Sequence, residues 1–519
     1  MSTHDSYEEC PPPIDAKDIA KIETADVVVI GAGIAGLTAS LSAAEAGAST
    51  ILLEKSSGCN YRGLQNAAIS SRLQKQAGIE IDRDQLIATI MEWGDYRADQ
   101  RIINKWADNC DKVMDWLLDM AESAGIEVLL DATTKPWYFP HYPVIHAFSP
   151  DFQETLAGML LQNGQARGVD YRFETPMVRL VREDEGRVTG VIAQDTAGGY
   201  ISFEARRAVV LCSGDYGNNR EMVEKYCWPS INSLACAYEP AVNTGDGHRM
   251  GMWIGADIDD PPHCVILFDS QIRKRAQDSQ PDSQPNYPRD IVHNRQRHPR
   301  KALFNLPRQP WLHVNANGER FMNEDLPWGY ECNQVTRQPG AFAWAVWDDK
   351  YDQEWPNMQS QCCKNMGPPT YLWDPEQLEL AIQRGNVLTA ATLEELAAKI
   401  EVPAEAFKAT VARYNEMARM GKDLDFGKHP DRLTTIEKSL FYACKIGGCY
   451  LVVLGGLKIN DNLQVLDKQR NVIPGLYAAG NVSGSFFGNM YPTTVPGLSH
   501  SRAWTFGRLA GLNAAVDET

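Results

Sequence analysis

Between Asp26 and Glu54 the sequence reads as one unit: an apolar strand (Asp26–Ile30), a turn carrying Gly31-x-Gly33-x-x-Gly36, a small-residue helix (Ile34–Ala46) stopped by Gly47, and a second apolar strand (Thr50–Leu53) ending on Glu54. Each part has a mechanical task. Gly31 makes the tight turn, Gly33 lets backbone approach a pyrophosphate, and Gly36 lets helix and strand pack closely. The helix N-terminus then faces the anion. Glu54, eighteen residues beyond the last glycine, is spaced to accept from ribose hydroxyls. The pattern predicts a Rossmann-like βαβ unit that binds a dinucleotide, with contacts from Gly31, Ala32, Gly33, Ala35, Gly36, Glu54, Lys55 and Ser56. It also disposes of a membrane reading for the uncharged run Val27–Ala44, because glycines break that run into strand, turn and helix.

A chain of 519 residues exceeds what one hydrophobic core usually supports, so more than one domain is expected. A net charge of −17 argues against a nucleic-acid surface and against docking on an anionic membrane, while leaving room for a locally basic pocket. Residues Met1–Thr24 are polar and acidic and lack an apolar signal core, so a cytoplasmic location is expected. Asn471–Ser501, also uncharged, is too rich in Gly, Pro, Asn and Ser to span a membrane. Twelve cysteines occur without a CxxC, which excludes the usual c-type haem attachment and the common iron–sulfur and zinc spacings; no metal is expected. The pair Cys362–Cys363 reads as two thiols of a reducing compartment.

Further along, Asp84–Met120 carries apolar residues at helical spacing. From Tyr171 to Gly214 the period becomes two, with turn signals at Asp184-Glu185-Gly186 and Ala197-Gly198-Gly199. The last of these strands, Ala208–Leu211, is fully apolar and runs into Ser213-Gly214, as expected of a buried strand delivering backbone to a ligand. Residues 270–308 turn rich in Gln, Pro, Asp, Arg and His, an irregular excursion in which Arg295, Arg297, Arg300 and Lys301 read as a solvated face. Helical pattern returns over Thr392–Met420 behind a capping box, Thr392-x-x-Glu395. There is no internal repeat.

The fingerprint alone leaves FAD and NAD open, and the far end of the chain decides. Ile473-Pro474-Gly475-Leu476-Tyr477-Ala478-Ala479-Gly480-Asn481 is a strand running into a Gly-rich turn, followed by Phe506-Gly507-Arg508-Leu509-Ala510-Gly511 in a closing helix. Together with the N-terminal unit, the blocks Val209–Asp215, Asn243-Thr244-Gly245-Asp246-Gly247, Val314–Glu324 and Asp423-x-Asp425-Phe426-Gly427, the sequence resembles the fumarate reductase/succinate dehydrogenase flavoprotein family, including its single-chain bacterial reductases and the 3-ketosteroid dehydrogenases. The resemblance covers Asp26–Asn513. It implies an α/β fold with a discontinuous Rossmann-like FAD-binding domain (1–270 and 446–519) and an inserted α+β cap domain (271–445) that holds substrate. It further implies FAD contacts from Gly63, Ala67, Ala68, Val178, Ser213, Gly214, Asp215, Asn219, Asp246, Gly480 and Asn481, with Gly497-Leu498-Ser499 at the flavin ring. Asn481 stands where the family often has Glu, and Tyr61-Arg62-Gly63 replaces a Gly-Gly-Asn/Ser loop, so Arg62 reads as a phosphate or surface contact.

Such a flavoprotein passes a hydride to an activated alkene when an acid protonates the neighbouring carbon and something polarises the activating group. Relatives that reduce fumarate grip it with an Asn-Arg-Leu-Gly-Gly-Asn block; here Phe487–Gly497 contains no arginine, which disfavours a dicarboxylate. The same stretch is similar to the Tyr-Pro-x-x-Gly block of ketosteroid dehydrogenases, which gives Tyr491 and Gly497 the carbonyl, two residues further apart than usual. A proton-donating tyrosine is expected just after the RFxNE block; Trp328 holds that place and Tyr330 lies two positions on. Arg308, one residue out of register with the arginine of fumarate-type relatives, is the second candidate acid. Tyr138 and Tyr142, in an aromatic, Pro-rich stretch, read as packing. His141 and His146 stand between substrate contact and structural histidine, and Arg502 between an anion contact and a helix end.

The expected function is therefore an FAD-dependent oxidoreductase that interconverts an activated C=C and a CH–CH bond, most simply as an ene-reductase. A 3-ketosteroid dehydrogenase or reductase, or a flavin-carrying electron-transfer subunit, are the alternatives. No second GxGxxG unit is present for NAD(P)H, so a separate electron-donor protein is one possible partner beside the small-molecule substrate.

Overall fold

A computed structural model defines the fold and describes residues 7–131, 142–229, 231, 234–236, 242–273, 290–291, 309–358 and 375–518. Arg308, Tyr138, His141, the pair Cys362–Cys363 and the basic residues at 295–301 lie outside the described residues. The N-terminal unit forms as its pattern predicts, with β1 (Ile19–Ile30), α1 (Ile34–Glu45) and β2 (Thr50–Leu53). The apolar stretch that follows divides into three helices, of which the first, α2 (Arg83–Trp93), is capped by Asp82, whose carboxylate accepts from the N–H groups of Asp84 and Gln85. The three period-two segments become a meander, β3 (Met177–Arg182), Val188–Gln194 and β4 (Tyr200–Leu211). Beyond it come α3 (Asp246–Trp253), β5 (Val265–Arg273), α4 (Trp328–Thr336), β6 (Phe441–Val453), β7 (Val472–Ala478) and the closing helix α5 (Leu498–Ala515).

Among the described residues, one sheet has eight strands. Its main path runs Gln464–Leu466, β7, β4, β1, β2 and Asp170–Arg172, and the β3 hairpin joins β4. The strands from β7 to Asp170–Arg172 are mutually parallel. Parallel strands are covered on both faces, which is why Val27, Val28, Val29, Val209 and Val210 have no exposed surface. Register brings Ile30 beside Leu211 and Leu211 beside Ala478. The carboxyl ends of β1, β4 and β7 therefore finish level, and the segments after them, Gly31, Cys212–Gly214 and Ala479–Asn481, meet at one crevice. α5 seals this sheet by lying on α1. Side chains at Gly507 and Gly511 would stand 2.4 Å from the Ala35 carbonyl oxygen and 2.2 Å from that of Ala39, so only glycine permits the approach.

A second sheet, of seven strands among the described residues, is organised on β6, which pairs with β5, Ala343–Asp348, Val387–Ala390 and the short Ala235–Cys236. Apolar clusters around Trp311 and Trp347 and around Leu396 and Phe407 pack against it. The expected joins at 270/271 and 445/446 fall inside β5 and β6. The helical stretch expected over Thr392–Met420 is two helices, Leu393–Ile400 and Ala404–Met420, separated at Glu401, which adopts φ +58°, and Pro403.

The Arg-Phe-x-Asn-Glu and Asp-x-Asp-Phe-Gly blocks form one buried knot. Arg320 donates to Glu324 (2.8 and 2.9 Å) and to Asp423 (3.0 and 2.8 Å), between the rings of Tyr414 and Phe426. Lys428 lies 3.2 Å from Glu324, and Asp423 also accepts the N–H groups of Asp425, Phe426 and Lys428. Burial alone would raise the Glu324 carboxyl, but the Lys428 and Arg320 charges outweigh it and hold it at about 2. The knot fixes the loop that leads into α4. No helix among the described residues is long and apolar enough to cross a membrane, and no group of three or more His, Cys, Asp or Glu residues there could hold a metal ion.

Candidate active site

A cleft opens at the ends of β1, β2 and β4, lined by Gly31, Gly33, Glu54, Lys55, Ser213, Gly214 and Asp246 among others. Gly31 sits at φ +103°, where an L side chain is strained, and a Cβ there would be 2.5 Å from the Cys212 carbonyl oxygen. Gly33 opens α1 with no side-chain cap and no acidic residue in the first turn, leaving the helix N-terminus to the cleft. Glu54 is buried; one carboxylate oxygen accepts from the Ala32 N–H and the other from the Ser56 N–H, both at 2.8 Å. Lys55 donates to Asp246 at 2.7 Å and to Thr244 at 2.9 Å, closing one side of the cleft. Burial works to raise the Asp246 carboxyl, but the Lys55 and Arg249 charges prevail and hold it below the usual range. The Ser213 hydroxyl is buried with no partner in the protein, as expected of a group reserved for a ligand.

The remaining residues expected at the cofactor sit around this core. Asp215 is wholly buried behind Gly214; it accepts from the Gly217 N–H at 2.6 Å and from the Asn243 side chain. Asn219 caps the helix Arg220–Tyr226 and donates to the Thr244 carbonyl at 3.2 Å. Val178 lies in β3, beside the cleft-lining Met177. Arg62 is no surface residue: it is half-buried and donates to the Leu451 carbonyl in β6 at 2.8 Å. Asn60, Thr175 and Asn243 also line the cleft. Asn243 was visible as part of its Asn-Thr-Gly-Asp-Gly block, whereas nothing local marked Asn60 or Thr175.

A second group of residues gathers at the start of α5. Gly497 adopts φ +82°, and a side chain there would strike the backbone of residues 65–67 at 2.8 Å; its carbonyl accepts from the Ala67 N–H at 3.2 Å. The Ala68 N–H in turn donates to the Val144 carbonyl at 3.0 Å. His500 holds the same loop from the helix side. Its Nδ1 lies 2.8 Å from the Gln65 carbonyl, and burial keeps the imidazole below its ordinary pKa and hence neutral. Gly480 packs against the Ala35 methyl, and Asn481 accepts from Arg502 at 3.1 Å and from Ser499 at 3.4 Å. Arg502 has no exposed surface to offer an anion. It donates to the Ser483 carbonyl at 3.1 Å with its guanidinium 4.8 Å from the Phe487 ring, and so braces the turn after β7.

Tyr491 is buried, and its hydroxyl accepts the Ser499 N–H at 3.2 Å. Tyr330, half-buried on α4, stacks on Trp93 at the end of α2. The two tyrosines come from distant parts of the chain, and their chain neighbours meet: a side chain at Gly329 would be 2.8 Å from the methyl of Met490. Burial, then the Asp95 carboxylate, raise the Tyr330 phenol above its ordinary pKa. His146 and Tyr142 are structural. The imidazole is buried between the Ser71 hydroxyl (2.8 Å) and the Val144 carbonyl (3.0 Å), and the Tyr142 hydroxyl pairs with Thr89 at 2.8 Å.

Residues 26–494 match the family model described as FAD binding domain. The chain is 29% identical over 514 residues to the vinyl phenol reductase of Lactiplantibacillus plantarum, covering 96% of this chain and 97% of that protein. Among solved structures, a flavocytochrome c3 fumarate reductase in its open conformation aligns with a TM-score of 0.72 at 24% identity, over 98% of this chain and 82% of that one. The 3-ketosteroid delta1-dehydrogenase of Sterolibacterium denitrificans aligns with a TM-score of 0.72 at 21% identity, over 96% and 100%. At those identities the two structures speak for the fold alone.

Proposed function

The chain belongs to the FAD binding domain family, and on that premise we propose that it reduces the carbon–carbon double bond of an activated alkene, with Tyr330 as proton donor. It is an FAD-dependent oxidoreductase acting on C=C and CH–CH bonds. The cleft fits the cofactor: the uncapped start of α1 and the free Ser213 hydroxyl suit the pyrophosphate side, and Glu54 has acceptor capacity left for ribose. Gly480, Asn481 and the Gly497-Leu498-Ser499 turn would lie along the flavin. Bound FAD supplies the hydride.

The observation that supports the reading is that Gly329, next to Tyr330, packs against the methyl of Met490, next to Tyr491. A phenol kept protonated by burial and by Asp95 can give its proton to the carbon next to the activating group. Tyr491, with the Gly497 backbone, polarises a substrate carbonyl in this reading. Its hydroxyl oxygen accepts the Ser499 N–H, which orients the phenol. Arg308 is the second candidate for the acid. The domains proposed are an FAD-binding body of 1–270 and 446–519 and a cap of 271–445, in a cytoplasmic protein whose electrons come from a separate donor.

The stretch from Phe487 to Gly497 contains no arginine, and this favours a substrate activated by a carbonyl or aryl group over a dicarboxylate. The vinyl phenol reductase relative accords with that preference by its name. The test is turnover of an enone, an aryl acrylate and fumarate under equal conditions with one artificial electron donor. The enone or aryl acrylate is expected to exceed fumarate, and efficient fumarate reduction with a low KM reverses the reading.

A further inference from the structure

The turn that follows α2 touches both proposed catalytic elements. On one side the Trp93 indole lies against the Tyr330 ring, with centroids 5.0 Å apart and planes 7° from parallel. On the other side the next four residues grip the loop that carries Tyr491. Gly94 and Gly488 are in backbone contact so close that a Cβ on Gly488 would sit 2.0 Å from the Gly94 carbonyl oxygen, and the Asn489 N–H donates to that oxygen at 3.3 Å. The Asn489 side chain is held at both ends: its amide NH₂ donates to Asp95, and its oxygen accepts from Arg97 at 2.6 Å. Arg97 also donates to the carbonyls of Asp260 and Pro261, each at 2.9 Å, which anchors the turn to a third segment.

The backbone of this turn is unusual as well. Asp95 and Tyr96, neither of them glycine, both stand in the left-handed region at φ +51° and +56°. Such conformations are sparsely populated by non-glycine residues and persist where surrounding contacts hold them. A turn needed only to end α2 could have used glycine at these positions. At these dihedrals the Asp95 carboxylate accepts from the Asn489 side chain.

Resting on the reading that Tyr330 is the acid and Tyr491 the carbonyl contact, we propose that the Trp93–Arg97 turn sets the spacing between these two tyrosines. Trp93 and Asn489 are then positioning residues for the protonation step. Trp93 fixes the plane of the Tyr330 ring, and Asn489, clasped by Asp95 and Arg97, fixes the segment two residues before Tyr491. Neither needs to touch substrate. The chemistry tolerates little play, since a displacement of about 1 Å can cost on the order of a hundredfold in rate.

The test is a double-mutant cycle on the FAD-loaded enzyme, using Trp93→Ala, Tyr330→Phe and the pair. Trp93→Ala is expected to lower kcat by roughly ten- to a hundredfold, with KM and FAD content unchanged. The loss should vanish in the Tyr330→Phe background, because a displaced acid matters only where the acid exists. Trp93→Phe, which keeps a ring to stack, should recover most of the rate. Asn489→Ala, on a less buried side chain, repeats the cycle should Trp93→Ala fail to fold. Normal turnover in Trp93→Ala and Asn489→Ala, beside a slow Tyr330→Phe, overturns the positioning role alone. A loss that persists undiminished in the Tyr330→Phe background overturns it too. Near-normal turnover in Tyr330→Phe overturns both this proposal and the acid assignment beneath it.

Discussion

The backbone N–H of Ser499, in the first turn of α5, donates to the hydroxyl oxygen of Tyr491 at 3.2 Å. The bond orients the phenol, whose O–H is proposed to polarise a substrate carbonyl. Tyr491→Phe should therefore cost roughly a hundred- to a thousandfold in the hydride-transfer step. FAD content should hold, because the ring still packs against Phe487. Single-turnover kinetics measure this directly, and an unchanged rate removes Tyr491 from the site.

Tyr330→Phe deletes the proposed proton and keeps the stack on Trp93. kcat should fall by about a hundred- to ten-thousandfold, and the reduced enzyme should scarcely exchange the substrate α-hydrogen with deuterated water. Normal turnover in Tyr330→Phe together with inactive Arg308→Ala would assign the acid to Arg308.

The acid also carries a pH signature. Burial and Asp95 both raise the Tyr330 phenol, so the protonated form survives above the ordinary value of about 10. The alkaline limb of the kcat profile should lie above that point. Asp95→Asn keeps an acceptor for Asn489 but removes the charge, and it should move the limb down. A limb indifferent to Asp95→Asn contradicts the assignment.

Glu54 accepts two backbone N–H groups and is proposed to accept from ribose as well. A hydrogen bond to a charged group contributes about 1.5–3 kcal/mol, so Glu54→Ala should weaken FAD binding by roughly ten- to a hundredfold or more. Titration of the apoprotein by flavin fluorescence reads the change.

The knot around Arg320 predicts acid sensitivity. Glu324 and Asp423 are both held at about 2, below their ordinary values of 4.5 and 3.8. A lowered carboxylate stabilises the fold fully above its ordinary value, and that contribution is lost as pH falls through the folded value. Stability should decline from about pH 4.5 towards 2. Arg320→Met breaks a buried pair and should cost about 3–5 kcal/mol at neutral pH, measurable by urea unfolding, with a flatter acid limb.

The parts legible in the sequence are those whose cause is local. The βαβ unit, the meander after Tyr171 and the strand before Gly480 each declare themselves within a few residues by periodicity and turn chemistry. The capping box at Thr392 was half right: Thr392 accepts the Glu395 N–H, but the Glu395 carboxylate reaches the N–H of Ala391 instead. The second sheet pairs Val265–Arg273 with Phe441–Val453 across a long stretch of chain, and no local pattern announces such a partner. The roles of Trp93 and Asn489 are not legible in the sequence for the same reason. An indole at a helix end and an asparagine in a Gly-rich loop acquire meaning only once Tyr330 and Asp95 stand beside them.

The central claim is hydride transfer from bound FAD to an activated alkene, and a single-turnover experiment tests it most directly. The flavin of the purified holoenzyme is reduced in the absence of oxygen and mixed with an enone or aryl acrylate, while flavin absorbance and product are followed together. The account predicts that the oxidised flavin spectrum returns as the saturated product appears in equal amount, and that the return is markedly slower in Tyr330→Phe. A flavin that stays reduced with every such alkene, or that is reoxidised without saturated product, contradicts it.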